Sequence, residues 1–83
     1  MYLFSNLAAS RGYVTSGNID TIKNGIYWIN GYNNISGTIP FTNDHYILIS
    51  TCDGYNALQC AIAQNSKTFK IRYKTSQGWD NWI

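Results

Sequence analysis

The side chains able to move a proton are few: the acids are Asp20, Asp44, Asp53 and Asp80, there is no Glu, and the one histidine is His45. General acid–base chemistry needs two such groups converging on one point. Asp44 and His45 are adjacent in the chain, and in a strand adjacent side chains leave from opposite faces. They are expected to be a turn Asp and a strand-entry His rather than a dyad. Asp53 precedes Gly54 and reads as a turn residue in the same way. Cys52 and Cys60, with a single His, cannot make up a four-ligand zinc set, and without an export signal they are expected to be free, buried thiols. Gly31 and Gly37 lack the following Lys and helix of a phosphate cradle. The expectation is a protein that is not an enzyme, with no catalytic residue, no metal site and no cofactor.

Two other groups of residues suit binding. Lys70, Arg72 and Lys74 alternate with Phe69, Ile71 and Tyr73, and bases interleaved with aromatics are what small barrels use to hold single-stranded nucleic acid. A strand, however, puts the bases on one face and the aromatics on the other, so the period of two favours a solvated basic face, with Phe69, Ile71 and Tyr73 in the core. The second group is Tyr32, Asn33, Asn34, Tyr55 and Asn56. Aromatic rings stack on sugar rings, and amides both donate to and accept from hydroxyls without any charge. These five are the candidate ligand-binding residues. Asn34-Ile35-Ser36 also fits the glycosylation pattern, a chance match where no secretory signal precedes it.

Strands must position these residues. The aromatic fraction is 16%, Ile dominates the aliphatics, and ten Asn and seven Gly cut the chain into short pieces, a composition that favours strands and turns over helices. Gly25 to Asn30 alternates Tyr27 and Ile29 against Ile26 and Trp28. Gly31 to Asp44 is dense in turn residues and is expected to be a long structured loop pinned to the core by Ile35, Ile39 and Phe41. His45 to Thr51 should be a central strand. After a hairpin at Asp53-Gly54, Ala57 to Gln64 sets Leu58, Cys60 and Ile62, the expected core side, against Gln59, Ala61 and Ala63. A further strand runs from Thr68 to Lys74, and Trp79 and Trp82 close the chain. The fold expected is all-β: a small antiparallel meander of four to five strands forming a compact sandwich or partly open barrel.

At 83 residues there is room for one domain, with residues 1–17 as a lead-in and 18–83 as the β domain. Met1 to Ala9 has no basic lead and too short an apolar run for a signal peptide, and no stretch approaches a membrane span, so no membrane insertion is expected. A net charge of +2 is too slight for the electrostatic footprint of a duplex-binding protein, which makes nucleic acid an unlikely partner.

The order of these features, IDTIKNGIYWING, a Pro-containing loop, HYILIST, Gln59, then FKIRYKTSQGWDNW, resembles the knob domain of pyocin and phage tail fibres over about Asn18 to Ile83. The most specific parts are Gly25 with Tyr27, Ile71-Arg72-Tyr73, and Gly78-Trp79 with Trp82. The resemblance implies a compact β module at the distal end of a fibre in the virion, made in the bacterial cytoplasm. It also implies self-association as a homotrimer and a bacterial surface glycan as partner. Under it, the aromatic and Arg positions belong to core and packing rather than to the receptor site. Two alternatives stand beside glycan binding: a module that trimerises or caps a fibre end, and a small single-stranded nucleic-acid-binding barrel.

Overall fold

A computed structural model describes residues 10–83, including every side chain except those of Ser10, Arg11 and Asn33. The expectation of a lead-in therefore lies partly, for residues 1–9, outside the described residues. The described chain is all-β with no helix. Six strands, β1 (Ser10–Asn18), β2 (Gly25–Ser36), β3 (Tyr46–Asp53), β4 (Asn56–Ala63), β5 (Phe69–Thr75) and β6 (Gly78–Trp79), form one sheet in chain order. It curls into an open half-barrel.

Four of the five pairings are antiparallel, as a meander requires, but β1 runs parallel to β2. This corrects the purely antiparallel expectation of four to five strands. Ser10–Asn18 shows no alternation because Gly12 and Gly17 adopt φ of 108° and 126°, which breaks the side-chain period. The long loop expected from Gly31 is also shorter. β2 continues to Ser36, and its last residues pair with Ser16 to Asn18 of β1 after a bulge between Val14 and Ser16. Within that bulge Asn30 Oδ1 accepts from the Tyr32 amide at 3.0 Å. Gly31 is required there because a Cβ would overlap the carbonyl oxygen of Asp44.

Two parallel neighbours cannot be joined by a hairpin. Here the return is the irregular segment 19–24, which opens on a turn and brings Ile19 into the core at 1% exposure. Around it the core gathers Tyr27, Ile29, Tyr46, Leu48 and Ala61, with Ile35, Ile39 and Phe41 packed against them as the sequence suggested. β3 is central, paired on both sides. The hairpin to β4 turns through Gly54 at φ 63° and Tyr55, the Gly-first two-residue turn that matches strand twist.

The faces of β4 and β5 are reversed from the expected ones. Ala57, Gln59, Ala61 and Ala63 are buried, and so is Arg72, while Phe69 and Tyr73 are 55% and 53% exposed. Leu58, Cys60 and Ile62 accordingly look outward, with Ile62 39% exposed. A single register carries the reversal across the sheet: Trp28, Ile47, Ile62 and Phe69 lie side by side in one outer row, and Ile26, Ile49, Cys60 and Ile71 in the next. Alternation alone cannot tell which face is inside when both are apolar. The deciding requirement is polar and comes from the crossover.

Candidate functional site

The crossover enters the core at Ile19 and runs on along the surface, and its carbonyls at Ile19, Asp20 and Lys23 take side-chain donors in place of a ladder, since a shielded carbonyl is costly unless hydrogen-bonded. Side chains supply the donors. Gln59 Nε2 donates to Ile19 O at 2.6 Å and to Ser50 Oγ at 3.3 Å. Trp79 Nε1 donates to Asp20 O at 3.1 Å, and the Tyr27 hydroxyl to Lys23 O at 2.7 Å. Gln59 Oε1 accepts from Arg72 Nε and Nη2, and Nη2 also pairs with the Asp20 carboxylate at 2.7 Å. Asp20 receives the Thr38 amide as well. The Arg72 guanidinium lies 4.0 Å from the Trp79 ring centroid and 4.6 Å from that of Trp82, a cation held between two aromatic faces. This cluster is a structural centre rather than a site: Gln59 and Arg72 are 0% and 1% exposed. Of the positions on which the resemblance was drawn, Arg72 and Tyr27 are buried, whereas Trp79 and Trp82 are only half-buried. The cluster corrects the solvated basic face and the core placement of Tyr73.

The surface hollow worth chemical attention lies at the hairpin end of the sheet. Asn24 Nδ2 reaches Cys52 O at 3.4 Å and ties the end of the crossover to β3. Beside it Thr51 of β3 stands next to Leu58 of β4, and Leu58 next to Tyr73 of β5. Together with Asp53, Asn56 and Thr75 they line a groove of about 500 Å³. A second hollow of about 390 Å³, bordered by Thr21 and Lys23, shares Asn24 and Cys52 with the first as lining. The lining offers one half-exposed phenol ring, two amides, two hydroxyls and one carboxylate, with Lys74 at the side. The accessible lining is mostly apolar, contributed by Leu58, Ala57 and the Tyr73 ring among others, with the polar groups placed about it, a surface for ring stacking with some hydrogen bonding.

Of the five candidate residues, Asn56 lies in this groove and Tyr55, 76% exposed, stands at the hairpin tip beside it. Tyr32 and Asn34 belong to the far end of β2, where Ile29 pairs with Tyr46 and the chain then bulges; the Asn33 side chain is outside the description. The five therefore occupy two places at opposite ends of β3. At the far end Tyr32 meets the His45 ring edge-on at 4.8 Å, with Tyr13 at 6.2 Å on a tilted plane. The sequence reading missed Asn24, taken for a turn, and Tyr73, taken for core. Had Gln59 and Arg72 been placed inside first, strict alternation would have turned Leu58 and Tyr73 outward.

Asp44 and His45 do not cooperate. Asp44 is buried and its carboxylate accepts from the Asn65 amide, the Asn65 side chain and the Ser66 amide, which fixes the β4–β5 turn. Burial pushes its pKa up, but these hydrogen bonds pull harder and hold it below the ordinary value. Cys52 and Cys60 are free, as expected, but neither is buried: Cys52 is exposed and Cys60 half-buried. They occupy opposite faces of neighbouring strands, Cys52 across from Ala57 and Cys60 across from Ile49. Among the described residues no three His, Cys, Asp or Glu side chains are grouped to hold a metal, and no helix is long and apolar enough to cross a membrane.

No family model, curated protein or solved structure matches the chain.

Proposed function

We propose that the chain is a non-catalytic module from the tip of a phage or prophage tail fibre, and that it binds bacterial cell-surface glycan in the groove at its hairpin end. The observation that carries this reading is the groove lining, in which the Tyr73 ring stands among Asn24, Asn56, Thr51 and Thr75. A sugar presents an apolar ring face bordered by hydroxyls, and this set offers an aromatic plane bordered by groups that donate and accept. The groove is open and shallow, which suits a polymer crossing it.

The tail-fibre assignment draws on the positions that carry the resemblance. Tyr27, Gln59, Arg72 and Trp79 come from different strands and perform one task, holding the crossover. Residues scattered through the chain that serve a single packing requirement are what a fold-defining pattern consists of. The nucleic-acid alternative loses its geometric basis, because Lys70 donates to Pro40 O at 2.9 Å and lies over Phe41 while Phe69 and Tyr73 point to the opposite face.

The test is titration of the full chain with bacterial surface oligosaccharides on an array and by calorimetry. Binding should weaken about tenfold in Tyr73→Ala, the equivalent of ~1.4 kcal/mol, and also in Asn56→Ala, with the thermal transition of each retained. Absence of binding across a broad array, or binding that both variants retain, would overturn the reading.

A further inference from the structure

The sequence holds two Asn-Gly pairs, Asn24-Gly25 and Asn30-Gly31. Such a pair is chemically labile: glycine has no side chain to shield its amide nitrogen from the asparagine side-chain carbon one residue before it, and asparagine is among the thermolabile residues. The fold treats the two pairs differently. Asn30 is half-buried within β2, its Oδ1 accepts from the Tyr32 amide at 3.0 Å, and a Cβ on Gly31 would overlap the Asp44 carbonyl oxygen. Ring closure at that pair has to break the hydrogen bond and move closely packed backbone. Asn24 is exposed and precedes the first residue of β2, and its side-chain bond to Cys52 O is long, 3.4 Å, and open to water. Gly25 sits at φ 149°, where a residue with a Cβ is strained, so the backbone itself calls for the unshielded nitrogen after Asn24.

From this contrast we infer that Asn24 is a self-modification site, at which the folded chain converts its own asparagine to aspartate or isoaspartate and so changes the charge of the hairpin-end groove. The Gly25 nitrogen gives its proton to hydroxide and attacks Cγ of Asn24. The bond from Cγ to Nδ2 breaks, and Nδ2 leaves as ammonia with a proton taken from water. A water molecule then opens the cyclic imide at either carbonyl, which yields aspartate or, where the main chain now runs through the former side-chain carbon, isoaspartate. No electron changes hands. Asn24 lines both the groove and the neighbouring hollow, so the product acts on both. A carboxylate only accepts, so the tie from the end of the crossover to Cys52 O is lost. The groove gains a second carboxylate beside that of Asp53, and the net charge of +2 falls by one. The conversion does not rest on the glycan reading, since it needs only the exposure of Asn24 and the glycine after it.

Incubation of the full chain in mildly alkaline buffer, followed by peptide mapping with mass spectrometry, tests it, with electron-transfer fragmentation to tell aspartate from isoaspartate. In the folded chain Asn24 should convert at least about ten times faster than Asn30, a barrier difference of ~1.4 kcal/mol. In concentrated urea, where both pairs are free of the fold, the two rates should come together. The converted chain, separated from the fresh one by ion exchange on its added negative charge, should melt at a lower temperature, and Asn24→Asp should melt below the parent in the same way. Folded chains in which Asn24 converts no faster than Asn30 overturn the inference. So does a tenfold difference that persists in urea, because the flanking sequence rather than the fold would then set it. An unchanged melting temperature in both the converted chain and Asn24→Asp overturns the release of the crossover from β3.

Discussion

Arg72 directs two N–H groups at one acceptor, Oε1 of Gln59, at 2.9 Å and 2.7 Å. The two side chains come from neighbouring strands, directly opposite in the register. Their contact turns the amide so that its Nε2 faces the crossover carbonyl of Ile19. A charged group is thereby kept in the core because it orients a neutral one. Charge and desolvation oppose each other here, and what decides the balance is that removing one partner strands the other.

Arg72→Ala should therefore cost about 3–5 kcal/mol, the range for breaking a buried pair from one side. It leaves Gln59 Oε1 without its donors and opens a void between Trp79 and Trp82. Asp20→Asn should cost less, since the Asp20 side chain is 28% exposed and water can replace part of what is lost. Urea denaturation of the two variants checks the order; equal costs would mean that the ion pair, rather than the Gln59 contact, dominates.

Gly31→Ala should destabilise by about 1–3 kcal/mol, as overpacking does. The new methyl overlaps the Asp44 carbonyl, so the strain falls on the segment that positions the Asp44 carboxylate. Hydrogen exchange at the Asn65 and Ser66 amides, both donors to Asp44, should accelerate in this variant ahead of the β3 amides. Uniform acceleration would count against a local effect.

The two thiols should separate kinetically. Cys52 is exposed, whereas burial pushes the Cys60 pKa up and lowers its thiolate fraction at neutral pH. With a thiol reagent at neutral pH, Cys52 should react first and Cys60 in a slower phase; two equal rates would contradict the burial of Cys60.

The β character, the central β3, the hairpin at Asp53-Gly54 and the anchoring of Ile35, Ile39 and Phe41 were all legible, because each rests on local pattern or turn chemistry. What was not legible depends on the crossover. A parallel return through 19–24 leaves no periodic signature, and only in its presence do Gln59 and Arg72 have carbonyls and a carboxylate to meet. Without it, hydrophobicity assigned Leu58, Cys60 and Ile62 inward, since Leu and Ile outweigh Gln and Ala on any transfer scale. At the candidate site, Tyr55 and Asn56 were recognisable as hairpin-tip residues. Tyr73 and Asn24 reach the groove only through pairings between distant segments.

Tyr46 predicts an alkaline limit. Burial pushes its hydroxyl up to about 12 from the ordinary 10.0, with the Arg72 charge drawing it part of the way back. A pKa raised on folding contributes stability that is complete below the unfolded value and is lost as pH climbs to the folded one. Stability should fall between about pH 10 and about pH 12 by this linkage, and Tyr46 should ionise only with unfolding. Ultraviolet titration followed at the phenolate band, with circular dichroism in parallel, separates the two; a fully ionised spectrum from a still folded chain would exclude it.

Asp44 sets the acid limit by the opposite sign. Its pKa is lower in the folded chain than the ordinary 3.8, because burial, which raises it, is outweighed by the hydrogen bonds from Asn65 and Ser66. A group with a depressed folded pKa stabilises above its unfolded value and loses that contribution as pH falls through the folded one. Stability should thus decline below about pH 4, beginning at the β4–β5 turn that Asp44 holds. Asp44→Asn cannot present two oxygens to those donors, so it should be less stable than the parent at neutral pH. Its stability should also vary less with pH through the acid range. Melting both chains across that range is the check: parallel curves, offset but equally steep, would mean that another carboxylate governs acid unfolding and that the Asp44 cap is only a neutral contact.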